Sequence, residues 1–187
     1  MKLFPILCIV LAVGPLACTA REPTAPLPDV ERTTERLTVP PVSAEIVECG
    51  EIEAIKPIDT TKAPDTGLGY VSVMQELERP KFKPGCPKVK AKLGTRFGIE
   101  VLVSSPGGQS IVALKTRVTH PAMRNPQTGP VTTVDQWESP MNAGIPRYAG
   151  WSFDKPWELV SGAWRMEILE ADRVIASQDF AVTVAGH

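Results

Sequence analysis

The chain has 187 residues, of which 22% are charged and 43% are hydrophobic, and its formal net charge is −1. With 20 basic and 21 acidic residues, it has no global field that points to nucleic acid or an anionic lipid surface, and neither is expected as a partner. Once the N-terminal segments are set aside, the remaining length corresponds to one domain that can bury a sizeable core.

Residues 1–20 have the pattern of a secretory signal peptide. Lys2 gives a positive start, an apolar run follows from Leu3 to Val13, and small residues lead up to Ala20. The run is too short to cross about 30 Å of hydrocarbon as a helix. The sequence therefore predicts an exported protein, periplasmic or anchored to the outer membrane, with full secretion as the weaker alternative.

Two cleavage sites are compatible with this leader. In one, Cys18 follows a small residue and becomes the lipidated first residue of the mature chain, although Pro15 stands where such a motif normally has leucine. In the other, cleavage follows Ala20 at an A-x-A-like site. Residues 21–42 are rich in proline, threonine and alternating charges. Such a composition buries too little apolar surface to fold, so we expect a disordered arm that would suit a tether.

Two cysteines lie beyond the leader, Cys49 and Cys86. In an oxidising compartment, two thiols without another partner most simply form a disulfide, and closing a loop of that length would stabilise the fold by about 4 kcal/mol. The histidines, His120 and His187, supply too few ligands for a metal site. We therefore expect neither a metal nor another cofactor.

Hydrophobic residues recur with a period of two from residue 43 onward, which predicts β-strands. The clearest strand is Leu93–Val103, whose alternate residues from Leu93 share one face. A second strand, Ile111–His120, follows turn-forming residues at Ser104–Gly108. Further strands are expected at Ala44–Ile55, Gly69–Leu77, Val131–Trp137 and Arg147–Phe153, with a terminal hairpin of Trp164–Ile168 and Val174–Val184 around a turn at Ala171-Asp172.

Seven or eight short strands separated by Pro/Gly turns predict an all-β fold, an antiparallel β-sandwich of immunoglobulin-like type, for residues 43–187. In the segment Trp157–Trp164, Gly162 would supply backbone freedom at a corner and Trp164 would open the next strand. A small β-barrel is the alternative, because the strand pattern separates the two architectures poorly. A basic stretch, Arg79–Lys92, is interpreted as a solvated loop and an edge strand.

Three groups of motifs follow one another along the chain. They are Leu93–Gly98, then His120-Pro121 with Asn125–Gly129, then Phe153-Asp154 with Trp157–Trp164. In this order they resemble a bacterial family catalogued as domain of unknown function 3859, over roughly Ile46–Val184. The resemblance implies an exported or envelope β-domain and brings no catalytic residues with it.

No catalytic constellation emerges from the sequence, so we expect a protein that is not an enzyme. His120 precedes a proline at a strand end, and we interpret it as a capping or surface residue. The acidic pairs Asp135 with Glu138 and Asp154 with Glu158 could in principle perform glycosidic chemistry. Acidic residues are too common in loops for these pairs to indicate an active site.

A binding role is the favoured hypothesis. We expect a protein-binding or structural accessory module of the envelope, which would use an unpaired sheet edge or the loops between strands. The alternative is a glycan-binding module that uses exposed aromatic side chains. The candidate ligand-binding aromatics are Trp137, Tyr148, Trp151 and Trp157, whereas Phe153 and Trp164 are expected in the core. The partner is an unidentified envelope protein or glycan.

Overall fold

The computed structural model describes residues 40–53, 57–74, 79–127 and 129–184. The predicted signal peptide, the candidate lipidation site Cys18 and the predicted arm as far as residue 39 lie outside these residues. Within the described ranges, no helix is long and apolar enough to span a membrane.

The described residues form twelve strands and one short 3-10 helix. In chain order, the strands are β1 Ser43–Ile52, β2 Asp59–Lys62, β3 Tyr70–Val73, β4 Lys88–Ala91, β5 Arg96–Ser104, β6 Ile111–Val112, β7 Lys115–Arg124, β8 Val131–Glu138, β9 Met141–Asn142, β10 Arg147–Ser152, β11 Gly162–Glu170 and β12 Arg173–Val184. The 3-10 helix, Pro156–Glu158, connects β10 to β11.

Two sheets enclose the core. One has the strand order β1-β5-β10 and the other β4-β12-β11-β7-β8. Their neighbouring strands are antiparallel except β4 and β12, which are parallel. The inner faces meet where the Phe97 ring of β5 lies edge-on to Phe180 of β12 and Trp164 of β11, with ring centroids 5.0 and 5.8 Å apart. This layered arrangement confirms the predicted β-sandwich and excludes the small barrel.

The alternation predicted for the central strand produces the core. The side chains of β5 that point inward are completely buried: Phe97, Ile99, Val101 and Val103. In β11, Trp164, Met166 and Ile168 are buried in the same alternating way. Burying each such side chain stabilises the fold by about 1.5–3 kcal/mol.

The start of this central strand was predicted wrongly. Leu93 is 52% exposed, because the chain turns here before β5 begins at Arg96. The Thr95 N–H donates to the Lys92 carbonyl over 2.9 Å, and Gly94 has a φ of 80°, which suits glycine. A local turn therefore takes Leu93 out of the alternating face.

Two short strands, β2 and β9, were missed. They have four and two residues, too few for a period of two to emerge. The predicted strand Ile111–His120 is divided into β6 and β7, and β7 continues to Arg124. The lysine-rich β4 is an edge strand with exposed Lys88 and Lys90 and buried Val89 and Ala91. The interpretation of the basic stretch as an edge strand is confirmed, since lysines on an edge oppose pairing with another chain.

The predicted disulfide is also confirmed. Cys49 of β1 bonds Cys86 across a sequence separation of 37 residues, with the Cα atoms 5.8 Å apart. The corner predicted at Gly162 is present as well, because this residue has a φ of 146°. A Cβ atom at Gly162 would lie 2.7 Å from Cγ of Pro121, so both conformation and space require glycine.

Candidate ligand cleft and buried polar cluster

A cleft of about 440 Å³ opens beside β10, the edge strand of the three-stranded sheet. Consecutive residues of two strands line it, Tyr70–Met74 along β3 and Pro146–Ser152 along β10. The end of β8, β9 and their connection add Trp137–Asn142. The volume lies within the range of about 300–1,000 Å³ that ligand sites occupy.

Hydrogen bonds fasten the turn between β2 and β3 to β8. The Gln136 N–H donates to the Asp65 carbonyl over 2.9 Å. The Gly67 N–H donates to Oδ1 of Asp135 over 2.8 Å, and Nδ2 of Asn125 donates to the Gly67 carbonyl over 2.8 Å. These bonds fix the position of the hairpin whose second strand lines the cleft.

Among the described residues, none pairs with the backbone of β10 on the cleft side. Both backbone groups of Phe153 face β5, since its N–H donates to Thr95 (3.0 Å) and its carbonyl accepts from Gly94 (2.8 Å). In an antiparallel strand, the N–H and C=O groups of one residue point to one side and those of the next residue point to the other side. The residues whose N–H and C=O groups point away from β5 are therefore Tyr148, Gly150 and Ser152.

Three of the four candidate aromatics line this cleft: Trp137, Tyr148 and Trp151. Trp137 and Tyr148 are half-buried, whereas Trp151 is only 8% exposed and belongs to the core. Trp157 is half-buried elsewhere, and its ring approaches Gly67, where an added Cβ would lie 3.4 Å from the indole. The structure thus brings Trp137, Tyr148 and Trp151 together without Trp157.

Tyr148 lies flat on the outer face of the sheet, over two glycines that sequence reasoning passed over. Gly98 and Gly150 are paired between β5 and β10, and a Cβ at either position would clash with the Tyr148 ring. The phenol donates to the Phe97 carbonyl over 2.9 Å, and burial raises the pKa of Tyr148. Glycines inside strands are the sequence signal for such close packing.

Charges of both signs line the cleft. Nε of Arg79 donates to Oε1 of the buried Glu100 over 2.8 Å, and a second guanidinium nitrogen contacts Oε2. Glu138 lies 3.9 Å from Lys115. Arg96 and Arg147 also line the cleft, and they donate to Sδ of Met74 and to Oδ1 of Asn142. The cleft therefore presents mixed charge and no single-sign field.

His120 and Asp135 form a buried pair on β7 and β8, and Asp135 is one of the residues that line the cleft. Their side chains are 0% and 1% exposed, and Nε2 lies 3.8 Å from Oδ2. The interpretation of His120 as a capping or surface residue is wrong, because alternation along β7 turns it inward with Val118, between Trp151 and Trp164. Burial lowers the pKa of His120 and raises the pKa of Asp135.

The tautomer of His120 follows from its one hydrogen bond to the backbone. Nδ1 of His120 lies 2.8 Å from the Pro121 carbonyl, which only accepts, so we assign the imidazole hydrogen to Nδ1. Nε2 of His120 and Oδ2 of Asp135 have no hydrogen-bond partner within the described residues. At 3.8 Å these two atoms are too far apart for a hydrogen bond with each other.

Glu158, at the end of the 3-10 helix, is the third buried acid. Its residue exposure is 0%, and Oε2 accepts the N–H groups of Asp154 and Lys155 over 2.7 and 2.6 Å. Burial is the main cause that raises the pKa of Glu158 to about 7, and the neighbouring carboxyls of Asp154 and Asp135 add to it. Asp135 and Glu158 are therefore not the solvated loop acids that the sequence suggested.

The cluster of His120, Asp135 and Glu158 has almost no solvent exposure, although Asp135 borders the cleft. No group of three histidine, cysteine or acidic side chains that could hold a metal ion occurs in the described part of the chain. Perturbed pKa values indicate active sites where they occur in a cleft that substrate can enter. The burial of these side chains suits a proton-sensitive structural element beside the cleft, and the open cleft suits binding.

The fold defines an immunoglobulin-like β-sandwich domain. A crystal structure of an immunoglobulin-like protein from Pseudomonas aeruginosa matches with a TM-score of 0.57 and 22% sequence identity, over 78% of this chain and 98% of that one. Residues 62–182 match the family model described as "Domain of unknown function (DUF3859)". The chain belongs to this family, as its motifs indicated. Comparison with curated proteins gives no match.

Proposed function

We propose that this protein is an exported, non-catalytic binding module that holds a segment of an envelope protein in the cleft beside β10. The N-terminal pattern of a signal peptide supports export, and so does the Cys49–Cys86 disulfide, since structural disulfides persist in oxidising compartments. The shielding of His120 and Glu158 from solvent supports binding rather than catalysis.

The observation that carries this proposal is the cleft itself. It combines half-buried aromatic side chains, Trp137 and Tyr148, with a strand edge that pairs with no other described strand. Aromatic side chains supply much of the energy in protein interfaces, and unpaired edges supply hydrogen bonds. Both occur here in one concave site of suitable volume.

Two tryptophan variants of the full chain test this assignment. Trp137 lines the cleft and Trp157 does not, although both are half-buried. We expect Trp137→Ala to lower the yield of a cross-linked envelope partner at least tenfold, and Trp157→Ala to leave it within about twofold. Equal losses from the two variants at equal thermal stability would contradict a site in the cleft.

A glycan is the second candidate occupant, because three of the four aromatic side chains expected to contact sugar rings line the cleft. Aromatic faces bind sugar rings without formal charge, and the cleft is lined by side chains of both signs, so it has no single-sign field to attract a charged ligand. Sedimentation of the full chain with purified peptidoglycan tests this candidate. Retention that is lost in Trp137→Ala and kept in Trp157→Ala, without a protein partner, would favour the glycan.

Anchoring is a separate part of the proposal, and the mass of the mature N-terminus tests it. Cleavage before Cys18 with a lipid-sized mass increase would establish a tether, and a chain beginning at Arg21 would establish a periplasmic form. An intact leader on Met1 in cytoplasmic fractions would refute export.

A further inference from the structure

We propose that the occupant of the cleft is an extended peptide segment of the partner without net charge, which binds by adding a strand between β10 and β3. This inference rests on the proposed function, because it names the form in which a protein partner would enter the same cleft. It goes further in specifying backbone pairing as the main contact.

The first step is the alternation of backbone groups along β10. The N–H and C=O groups of Tyr148, Gly150 and Ser152 point away from β5, as the hydrogen bonds of Phe153 require. No hydrogen bond of these three residues' backbone groups to another described residue occurs on the cleft side. The backbone groups of these three alternate residues offer the donors and acceptors that a peptide strand needs.

The second step is the strand that shares the cleft. Consecutive residues of β3, Tyr70–Val73, line the same cavity, and among the described strands β3 pairs only with β2. The two strands β3 and β10 therefore each leave one edge unpaired, and the cleft separates them. An inserted peptide would join the three-stranded sheet and the β2–β3 hairpin into one continuous sheet.

The third step is charge. The charged side chains that line the cleft are of both signs: Arg79, Arg96 and Arg147 with Glu100, Asp135, Glu138 and Asp154. A ligand with a strong net charge of either sign would lose hydration against a surface that has no field of the opposite sign. A segment without net charge complements this surface, and backbone hydrogen bonds with aromatic contacts would hold it.

The experiment uses the full chain and a phage-displayed library of linear 12-residue peptides, from which a binder is selected and synthesised. Alternate backbone N–H groups of that peptide are then methylated in two versions. One version should lose the hydrogen bonds between the peptide and β10, and it should bind about 30-fold more weakly than the unmethylated peptide. The other version should lose only the hydrogen bonds to β3, or no hydrogen bond to the protein. NMR should show slowed amide exchange at Tyr148, Gly150 and Ser152 on binding.

Two substitutions at one position separate the backbone from the side chain. Ser152→Pro removes an N–H that points away from β5, so the existing sheet keeps its hydrogen bonds while the peptide loses one. Ser152→Ala keeps the N–H and removes the hydroxyl. We expect Ser152→Pro to weaken peptide binding about tenfold and Ser152→Ala to leave it within twofold.

Each remaining outcome overturns the inference in a recognisable way. A selected peptide whose affinity neither methylation lowers by more than about twofold, or which binds without protection of the three amides, would refute strand addition and leave peptide binding intact. Protection of the same amides in the unbound protein would mean that β3 itself covers β10. An absence of any selected peptide, with retention on peptidoglycan, would refute protein binding as well.

Discussion

Replacing Glu158 by glutamine gives the sharpest test of the buried polar cluster. In the folded protein the Glu158 carboxyl is 0% exposed and its pKa is raised from 4.5 to about 7, mainly by burial. Glutamine has nearly the same shape as the protonated acid, and its carbonyl can still accept the N–H groups of Asp154 and Lys155. The variant therefore removes the ionisation and keeps the packing.

The sign of the effect follows from proton binding. Between pH 4.5 and 7 the folded state holds a proton on Glu158 that the unfolded state has released. The stabilisation is complete below pH 4.5 and is lost as the pH rises through 7. The difference between 4.5 and about 7 corresponds to about 3 kcal/mol in the free energy of unfolding.

Urea unfolding from pH 4.5 to 8 measures this difference. Glu158→Gln should match the native protein near pH 4.5 and exceed it by about 3 kcal/mol at pH 8, or about 6–12 °C in Tm. Glu138→Gln, at an exposed position of β8, should show no such divergence. Parallel stability curves for Glu158→Gln and the native protein would refute a raised pKa for Glu158.

Three further perturbations test the packing and the hydrogen bonds. Replacing both Cys49 and Cys86 by serine should lower the unfolding free energy in urea by about 4 kcal/mol, given the separation of 37 residues; a loss below 1 kcal/mol would contradict a stabilising bridge. Gly150→Ala should cost about 2 kcal/mol, because its Cβ would displace the Tyr148 ring and would also lie 2.6 Å from the Phe97 carbonyl oxygen. In a Tyr148→Ala background the cost should become smaller, since only the clash with the carbonyl remains, and additive losses in this double-mutant cycle would refute the contact with Tyr148. Asp135→Ala should lower the free energy of unfolding by about 1–3 kcal/mol and speed amide exchange at Gly67, because the Gly67 N–H loses its acceptor. Unchanged exchange at Gly67 would show that Asp135 does not hold the hairpin turn.

The sequence predicted the features that depend on local pattern. The period of two placed Phe97, Ile99, Val101 and Val103 in the core, the turn at Ala171-Asp172 joined the terminal hairpin, and the count of cysteines predicted their bond. Each follows from neighbouring residues or from composition, and each was confirmed.

The site could not be read in the same way, because pairing between strands assembles it. His120 and Asp135 are 15 residues apart, and they meet because Val118 of β7 pairs with Asp135 of β8. The register between β7 and β8 depends on both strands, so the hydrophobic pattern of neither strand alone predicts it. Tyr148 on Gly98 and Gly150 depends likewise on the register of β5 with β10. The interior glycines were visible in the sequence and could have indicated this contact.

Site-specific photo-cross-linking in the bacterial envelope tests the central claim most directly. A photoreactive residue would replace Asn142, which lines the cleft, or Val174, which is 40% exposed on β12 and does not line it. The proposed binding role predicts one protein adduct from position 142 that is absent from position 174 and is diminished by Trp137→Ala. Adducts from Val174 alone, or equal adducts from both positions that Trp137→Ala leaves unchanged, would contradict binding in the cleft.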